Sequence, residues 1–240
     1  MNSKNPILNE SSFEKMSRAN TFDAYERMTV DGAVNKSFLL FGLMMITTVI
    51  SFGMPSAFLM WTGVIGGIVA LIAGYWKPQI AHIAAPGYAL FEGLFIGSIS
   101  AIYNAAFEGI VLQAVTLTLG TLLAMLLLYR SRIIKVTPGF KTGILMATGA
   151  IFLVYMVSII GSFVGFSVPY LHDSGPIGIG ISLVIVGIAA LNLLIDFDAF
   201  EKGEEAGAPK NMEWLCAMGL LVTIVWLYIE VLRLLSKLRD

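Results

Sequence analysis

The chain has 240 residues, of which 57% are apolar and only 13% are charged, and its formal net charge at pH 7 is −1. A soluble domain has about a quarter of its residues charged, so this composition excludes an ordinary soluble domain. The near-zero net charge gives no basic surface for nucleic acid, and the single cysteine, Cys216, excludes a disulfide framework.

The first 36 residues are polar and mixed in charge, with five Lys or Arg and five Asp or Glu residues. Apolar side chains recur among them at Phe13, Met16, Phe22, Tyr25 and Met28. This pattern is typical of a short helix lying on the membrane surface, and a partly ordered tail fits it equally well. We therefore divide the chain into a polar N-terminal segment, 1–36, and a transmembrane domain, 37–240.

Seven apolar segments follow, separated by charged residues, glycine and proline. They lie near residues 37–53, 56–75, 79–103, 108–129, 142–165, 176–197 and 213–236. A hydrocarbon core of roughly 30 Å needs about 20 residues of helix, and backbone groups in lipid need internal partners. The sequence therefore predicts an all-α membrane protein, a bundle of seven transmembrane helices.

The positive charges indicate an orientation. The N-terminal segment and the loops after the second, fourth and sixth segments carry 5, 1, 4 and 2 Lys or Arg residues, and the other loops carry none. By the positive-inside rule the N-terminus is cytoplasmic. If the seventh segment crosses fully, its C-terminal end lies outside and carries three cations against the rule, namely Arg233, Lys237 and Arg239. Alternatively, that segment crosses only in part. We favour a full crossing.

Carboxylates at membrane depth are the candidate functional residues, because a charge there is costly unless it is paired, protonated or hydrated. Asp196 and Asp198 end the sixth segment and point to opposite sides of a helix, since two residues turn it by about 200°. Asn192 precedes Asp196 by one turn and adds to a polar stripe. Asp198 leads into a charged loop, which favours a solvated position.

Glu92 and Glu230 are the other two candidates. Glu92 lies about 20 Å into the third segment, either as a functional acid or as a neutral group that donates to a carbonyl. Glu230 lies late in the seventh segment, and Arg233 three residues later is a structural partner for it. Both alternatives stay open for each residue.

The sequence contains no phosphate-binding glycine loop, zinc-protease motif or Ser/His/Asp spacing, so we predict neither an enzyme nor a bound cofactor. Isolated carboxylates suit a proton or a hard cation such as Ca²⁺, which prefers oxygen ligands. Ca²⁺ is accordingly the candidate permeant ion, and Asp196 its candidate ligand. The sequence does not indicate an oligomeric state.

Several stretches together resemble one known family. They include GYALFEGLFIG (87–97), ALNLLIDFDAFE (190–201), GAPKNMEW (207–214) and WLYIEVLRLL (226–235). Over nearly its whole length the chain resembles the Bax inhibitor-1 family, in particular its bacterial YccA-like branch. The resemblance implies a bacterial cytoplasmic (inner) membrane protein whose central seventh helix is wrapped by two groups of three helices.

The resemblance also implies a function, a pH-sensitive calcium leak controlled by two acids that share a proton. The first acid corresponds to Asp196. The second falls on Glu230 or, in a different alignment of the seventh segment, on Thr223, which does not titrate. Some bacterial relatives instead modulate a membrane-bound protease through the N-terminal tail, so a regulatory binding protein is the alternative expectation.

Overall fold

The computed structural model of the chain describes residues 27–163, 165, 168–169, 171 and 173–240. Seven long helices account for most of these residues. They are α1 (Val30–Gly53), α2 (Ala57–Trp76), α3 (Ala81–Ala106), α4 (Ile110–Arg130), α5 (Pro138–Phe163), α6 (Pro176–Glu205) and α7 (Met212–Arg239). A short 3-10 turn, Pro78–Ile80, leads into α3.

The seven predicted segments are confirmed as helices, and all seven are long and apolar enough to cross a membrane. The chain is therefore a multi-pass membrane protein. Its helices extend beyond the predicted apolar segments at several ends: α1 begins at Val30 rather than near 37, and α6 continues to Glu205 rather than ending near 197. Hydropathy marks the part of a helix that lies in hydrocarbon, and it does not detect the polar turns beyond it.

The early start of α1 has a local cause. The Thr29 side chain accepts a hydrogen bond from the Gly32 N–H, which caps the helix, and Asp31 lies in the first turn. Residues 30–36 of the predicted polar segment are thus part of α1. The proposed surface helix around Phe13 and Phe22 lies outside the described residues.

Helix α7 is the centre of the bundle. In its most apolar 18-residue stretch 67% of the residues are buried, whereas in the corresponding stretch of α5 only 6% are buried. It packs against α1, α2, α3, α4 and α6, and the Tyr155 hydroxyl of α5 reaches its Glu230 side chain. The expected central position of the seventh helix is confirmed.

The bundle has two faces, named here by the ends of the chain. The N-terminal face carries the start of α1 and the α2–α3, α4–α5 and α6–α7 loops, and Arg27 bridges to Pro209 there. The C-terminal face carries the end of α7 and the other three loops, and Arg239 reaches the Glu108 carbonyl there. These faces lie on opposite sides of the membrane, because all seven helices cross it.

Helices α1 and α3 approach each other closely at two glycines. A Cβ atom on Gly93 would overlap Thr47 Oγ1 and the Met44 carbonyl, and one on Gly97 would lie 2.8 Å from Ser51 Cβ. Ser51 then donates to the Leu94 carbonyl at 2.7 Å. Small residues permit this backbone approach, which gives van der Waals contact where no hydrophobic effect drives helix association.

Candidate functional site

Asp196 lies on α6 and faces the central helix. The residue is half-buried, but its Oδ2 atom is fully buried and has no hydrogen-bond partner among the described residues. The side chain that interacts with the carboxyl group is Thr223 of α7. Thr223 is itself buried, and its hydroxyl lies 3.3 Å from the Gly219 carbonyl.

Asp196 lies a little more than one turn inside the N-terminal face. It is five residues, or about 8 Å of helix, from Glu201, which pairs with Arg132 at that face. A fully buried carboxyl oxygen without a hydrogen-bond partner among the described residues, next to the central helix, is the feature best suited to proton-dependent chemistry.

Asp198 points away from Asp196, as the helical geometry predicts. It is buried rather than solvated, which differs from the predicted position, and its Oδ2 atom accepts from Lys202 Nζ at 2.6 Å. The Lys202 side chain is 54% exposed, so the pair lies at the N-terminal face. The lysine one turn later thus supplies a counter-charge for Asp198 at this face.

Glu230 is almost completely buried in the half of α7 nearer the C-terminal face. It accepts hydrogen bonds from the Tyr155 hydroxyl at 2.8 Å and from Trp226 Nε1 at 3.3 Å. Arg233 Nη1 contacts both carboxylate oxygens, at 3.1 and 3.2 Å. Glu230 is therefore a satisfied ion pair that attaches α7 to α5.

The structure does not bring Asp196 and Glu230 together. Thr223, which lies beside Asp196, is about 10 Å from Glu230 along the axis of α7. Of the two positions to which the resemblance assigns the second acid, the one beside Asp196 is therefore Thr223. The site consists of one carboxyl group and one hydroxyl group.

Glu92 lies apart from both Asp196 and Glu230. It is half-buried on α3, its Oε2 atom lies against Gly67 of α2, and its interacting side chain is Tyr88, one turn earlier. No Lys or Arg of the described residues forms an ion pair with it. Glu92 thus lies at the α2–α3 contact, and no hydrogen bond joins it to Asp196.

Sequence reasoning missed a buried ion pair at the N-terminal face. Glu213, at the start of α7, is 2% exposed and pairs with Lys36 of α1. Its Oε1 atom also accepts from the Thr29 N–H at 3.0 Å, and Lys36 Nζ lies 5.2 Å from the Trp214 ring centroid. The paired charges are 177 positions apart, so nothing in a single sequence connects them.

The three cations at the end of α7 all have protein partners. Arg233 pairs with Glu230, and Lys237 Nζ donates to the Leu171 and Gly178 carbonyls at 2.8 and 3.1 Å. Arg239 donates to the Glu108 carbonyl at 2.9 Å and to Gln113 Oε1 at 2.8 Å. A full crossing by α7 therefore leaves none of these charges without a partner.

The described residues contain no group of three or more His, Cys, Asp or Glu side chains placed so that it could hold a metal ion. Within that part of the chain Asp196 is a single carboxylate rather than one member of a ligand set. Ligation of Ca²⁺ by Asp196 stays a prediction. What the arrangement offers chemically is one buried carboxyl group that can hold or release a proton beside the central helix.

The fold and the deep acids can be compared with known proteins. A search of curated proteins found no match for the chain. The model of the family described as Bax inhibitor 1 like matches residues 5–240, nearly the whole chain. The protein therefore belongs to the Bax inhibitor 1 like family.

Proposed function

We propose that the protein is a pH-sensitive cation leak, with Ca²⁺ as the permeant ion and Asp196 as the group that controls it. The observation that carries the proposal is the buried, unpartnered Oδ2 atom of Asp196 at the contact between α6 and α7. Family membership supports the same class of function, because a calcium leak is the activity that the resemblance implies.

The mechanism follows from the cost of burying a charge. A neutral Asp196 fits against Thr223 and allows α6 and α7 to remain in contact. An ionised Asp196 in this buried position requires a cation or water, since an unpaired charge away from water is strongly unfavourable. Loss of the proton therefore opens the α6–α7 contact to water and cations, so that flux rises with pH.

The other acids have different roles in this proposal. The Glu230–Arg233 pair, held by Tyr155 and Trp226, keeps α7 in place. Glu92 lies at the α2–α3 contact and is a second acid that modifies the response. Control of the leak thus depends on Asp196 first.

The test is Ca²⁺ flux into vesicles that contain the purified protein, measured with an enclosed calcium dye at several pH values. We expect flux through the wild type to rise with pH. In the Asp196→Asn variant this rise should be at least tenfold smaller, which corresponds to about 1.4 kcal/mol. Glu205→Gln, an exposed carboxylate on the same helix, is the control and keeps the response. An unchanged pH profile in the Asp196→Asn, Glu92→Gln double variant would disprove the mechanism.

A second candidate function is regulation of a membrane-bound protease through the N-terminal tail. The observation in its favour is where the tail leaves the bundle: the Met28 N–H donates to the Ala208 carbonyl at 2.7 Å, and Arg27 bridges to Pro209. These contacts hold residues 27 and 28, which directly follow the tail in sequence, beside the α6–α7 loop on the N-terminal face.

A deletion of residues 2–24 tests this candidate without disturbing Met28 or Thr29. If the tail is the regulatory element, partner proteolysis changes while Ca²⁺ flux stays at the wild-type level. Loss of flux with unchanged proteolysis would count against the tail and in favour of the leak.

A further inference from the structure

A second feature of the bundle is an apolar groove that opens between α1 and α4. Its volume is about 580 Å³, within the roughly 300–1,000 Å³ typical of ligand sites. Phe38 of α1 and Leu119 and Leu122 of α4 line its walls, and Phe197 of α6 and Ile224 of α7 line its floor. Phe38 is 73% exposed, so the groove faces the bilayer.

The groove is about as deep as one leaflet. Its α4 wall extends from Leu119 to Tyr129, which is about 15 Å at 1.5 Å per residue. Half of a hydrocarbon core of about 30 Å is the same length. The groove therefore matches an acyl chain whose head group lies at the N-terminal face.

The end of the groove at that face is polar and carries unbalanced charge. Glu201 accepts from the Tyr129 hydroxyl and pairs with Arg132, so its charge is compensated. Glu204 lies on the same side of α6 one turn later, is exposed, and has no ion pair among the described residues. The mouth thus presents one carboxylate without an ion pair, one turn from Glu201, whose partner Arg132 has a side chain that is 61% exposed.

We propose that this groove binds a bilayer phospholipid whose head group carries a primary ammonium. One acyl chain lies along the wall formed by Leu119 and Leu122, the ammonium pairs with Glu204, and the phosphate lies near Arg132. An ammonium group supplies the counter-charge that Glu204 lacks, whereas a purely anionic head group leaves Glu204 unpaired and repelled. The binding does not depend on the proposed leak.

The first experiment tests the groove itself. The protein is extracted from membranes containing equal amounts of an ammonium phospholipid and a glycerol-headed anionic phospholipid, and retained lipid is measured by native mass spectrometry. We expect the wild type to retain the ammonium lipid, and Leu122→Trp, which fills the groove, to lose it. Leu123→Trp lies on the exposed side of α4 and retains the lipid.

The second experiment tests the head-group contact. Glu204→Gln should still bind lipid, but its preference for the ammonium head group should fall about fivefold. A change of this size is the effect of one interfacial charge pair. Glu108→Gln removes an exposed carboxylate at the opposite, C-terminal face and keeps the preference. The melting temperature of each variant shows whether it is folded.

Three outcomes would overturn the proposal. One is equal lipid retention by Leu122→Trp and the wild type when both are folded. Another is a Glu204→Gln variant with the wild-type preference, and the third is a wild type that retains both lipids equally or only detergent. Each outcome is independent of Ca²⁺ flux.

Discussion

Glu230 and Asp196 lie on adjacent helices, yet their carboxylates meet different surroundings. Glu230 is held by Tyr155, Trp226 and Arg233, whereas Oδ2 of Asp196 has no hydrogen-bond partner among the described residues. A charged residue in an apolar stretch is conspicuous in sequence, so both acids were identifiable as candidates. The surroundings of the two acids could not be predicted, because Tyr155 and Glu230, for example, are 75 positions apart and share no sequence pattern.

Removing the Glu230 carboxylate should cost the protein much of its stability. Glu230→Ala leaves Arg233 without its counter-charge, and breaking a buried pair costs about 3–5 kcal/mol. The measurement is the unfolding free energy in detergent, with Glu205→Ala as the exposed control, which we expect to change it by less than about 0.5 kcal/mol. A Glu230→Ala protein as stable as the wild type would show that the pair is not structural.

The Lys36–Glu213 pair should show strong coupling between its two members. Lys36→Ala leaves Glu213, which is 2% exposed, without its cation, although the Thr29 N–H still donates to it. We expect each single variant to lose about 3–5 kcal/mol and the double variant to lose less than the sum. A double-mutant cycle on the unfolding free energy measures the coupling, and additive losses would argue against the pair.

At the scale of whole helices, the sequence predicted the seven spans well and their ends less well. Long apolar runs give the spans directly, because hydrocarbon thickness fixes their length. The start of α1 depends on the Thr29 cap and on Glu213 from the other end of the chain, and the polar turns of α6 beyond residue 197 carry no apolar signal. Polar helix ends of this kind are set by tertiary contacts.

The approach of α1 to α3 gives a prediction with a control on the same helix. Gly93→Ala places a methyl group against Thr47 and the Met44 carbonyl, and such overpacking costs about 1–3 kcal/mol. Gly87→Ala is the matched control, because a Cβ atom there has no neighbour within 4 Å. The melting temperatures of the two variants should differ clearly, and equal values would refute the close contact.

For the whole molecule, the prediction that needs a direct test is orientation. With a cytoplasmic N-terminus, the C-terminal face is external. In a Cys216→Ser background, Met54→Cys lies on the external α1–α2 connection and should react with an impermeant maleimide in intact cells. Ser131→Cys, on the N-terminal face, should react only after permeabilisation. The reverse pattern would invert the topology.

Sequence alone gave the architecture of this molecule and its family, but only part of its candidate site. Asp196 was predicted, and its neighbour Thr223 was one of two alternatives that sequence left open. The groove between α1 and α4 was not predictable, because its lining residues come from four helices and look like ordinary lipid-facing side chains. A role for its acidic mouth can be inferred only when the relative positions of α4 and α6 are known.

The partners of the cations on α7 have a consequence for the order of assembly. The acceptors of Lys237 and Arg239 lie in the α3–α4 and α5–α6 connections and in α4 and α6, all of which precede α7 in the chain. A ribosome therefore finishes every acceptor before it makes the donors. Because α7 follows all of these acceptors, its charges can exchange water for carbonyl oxygens as the helix packs against them.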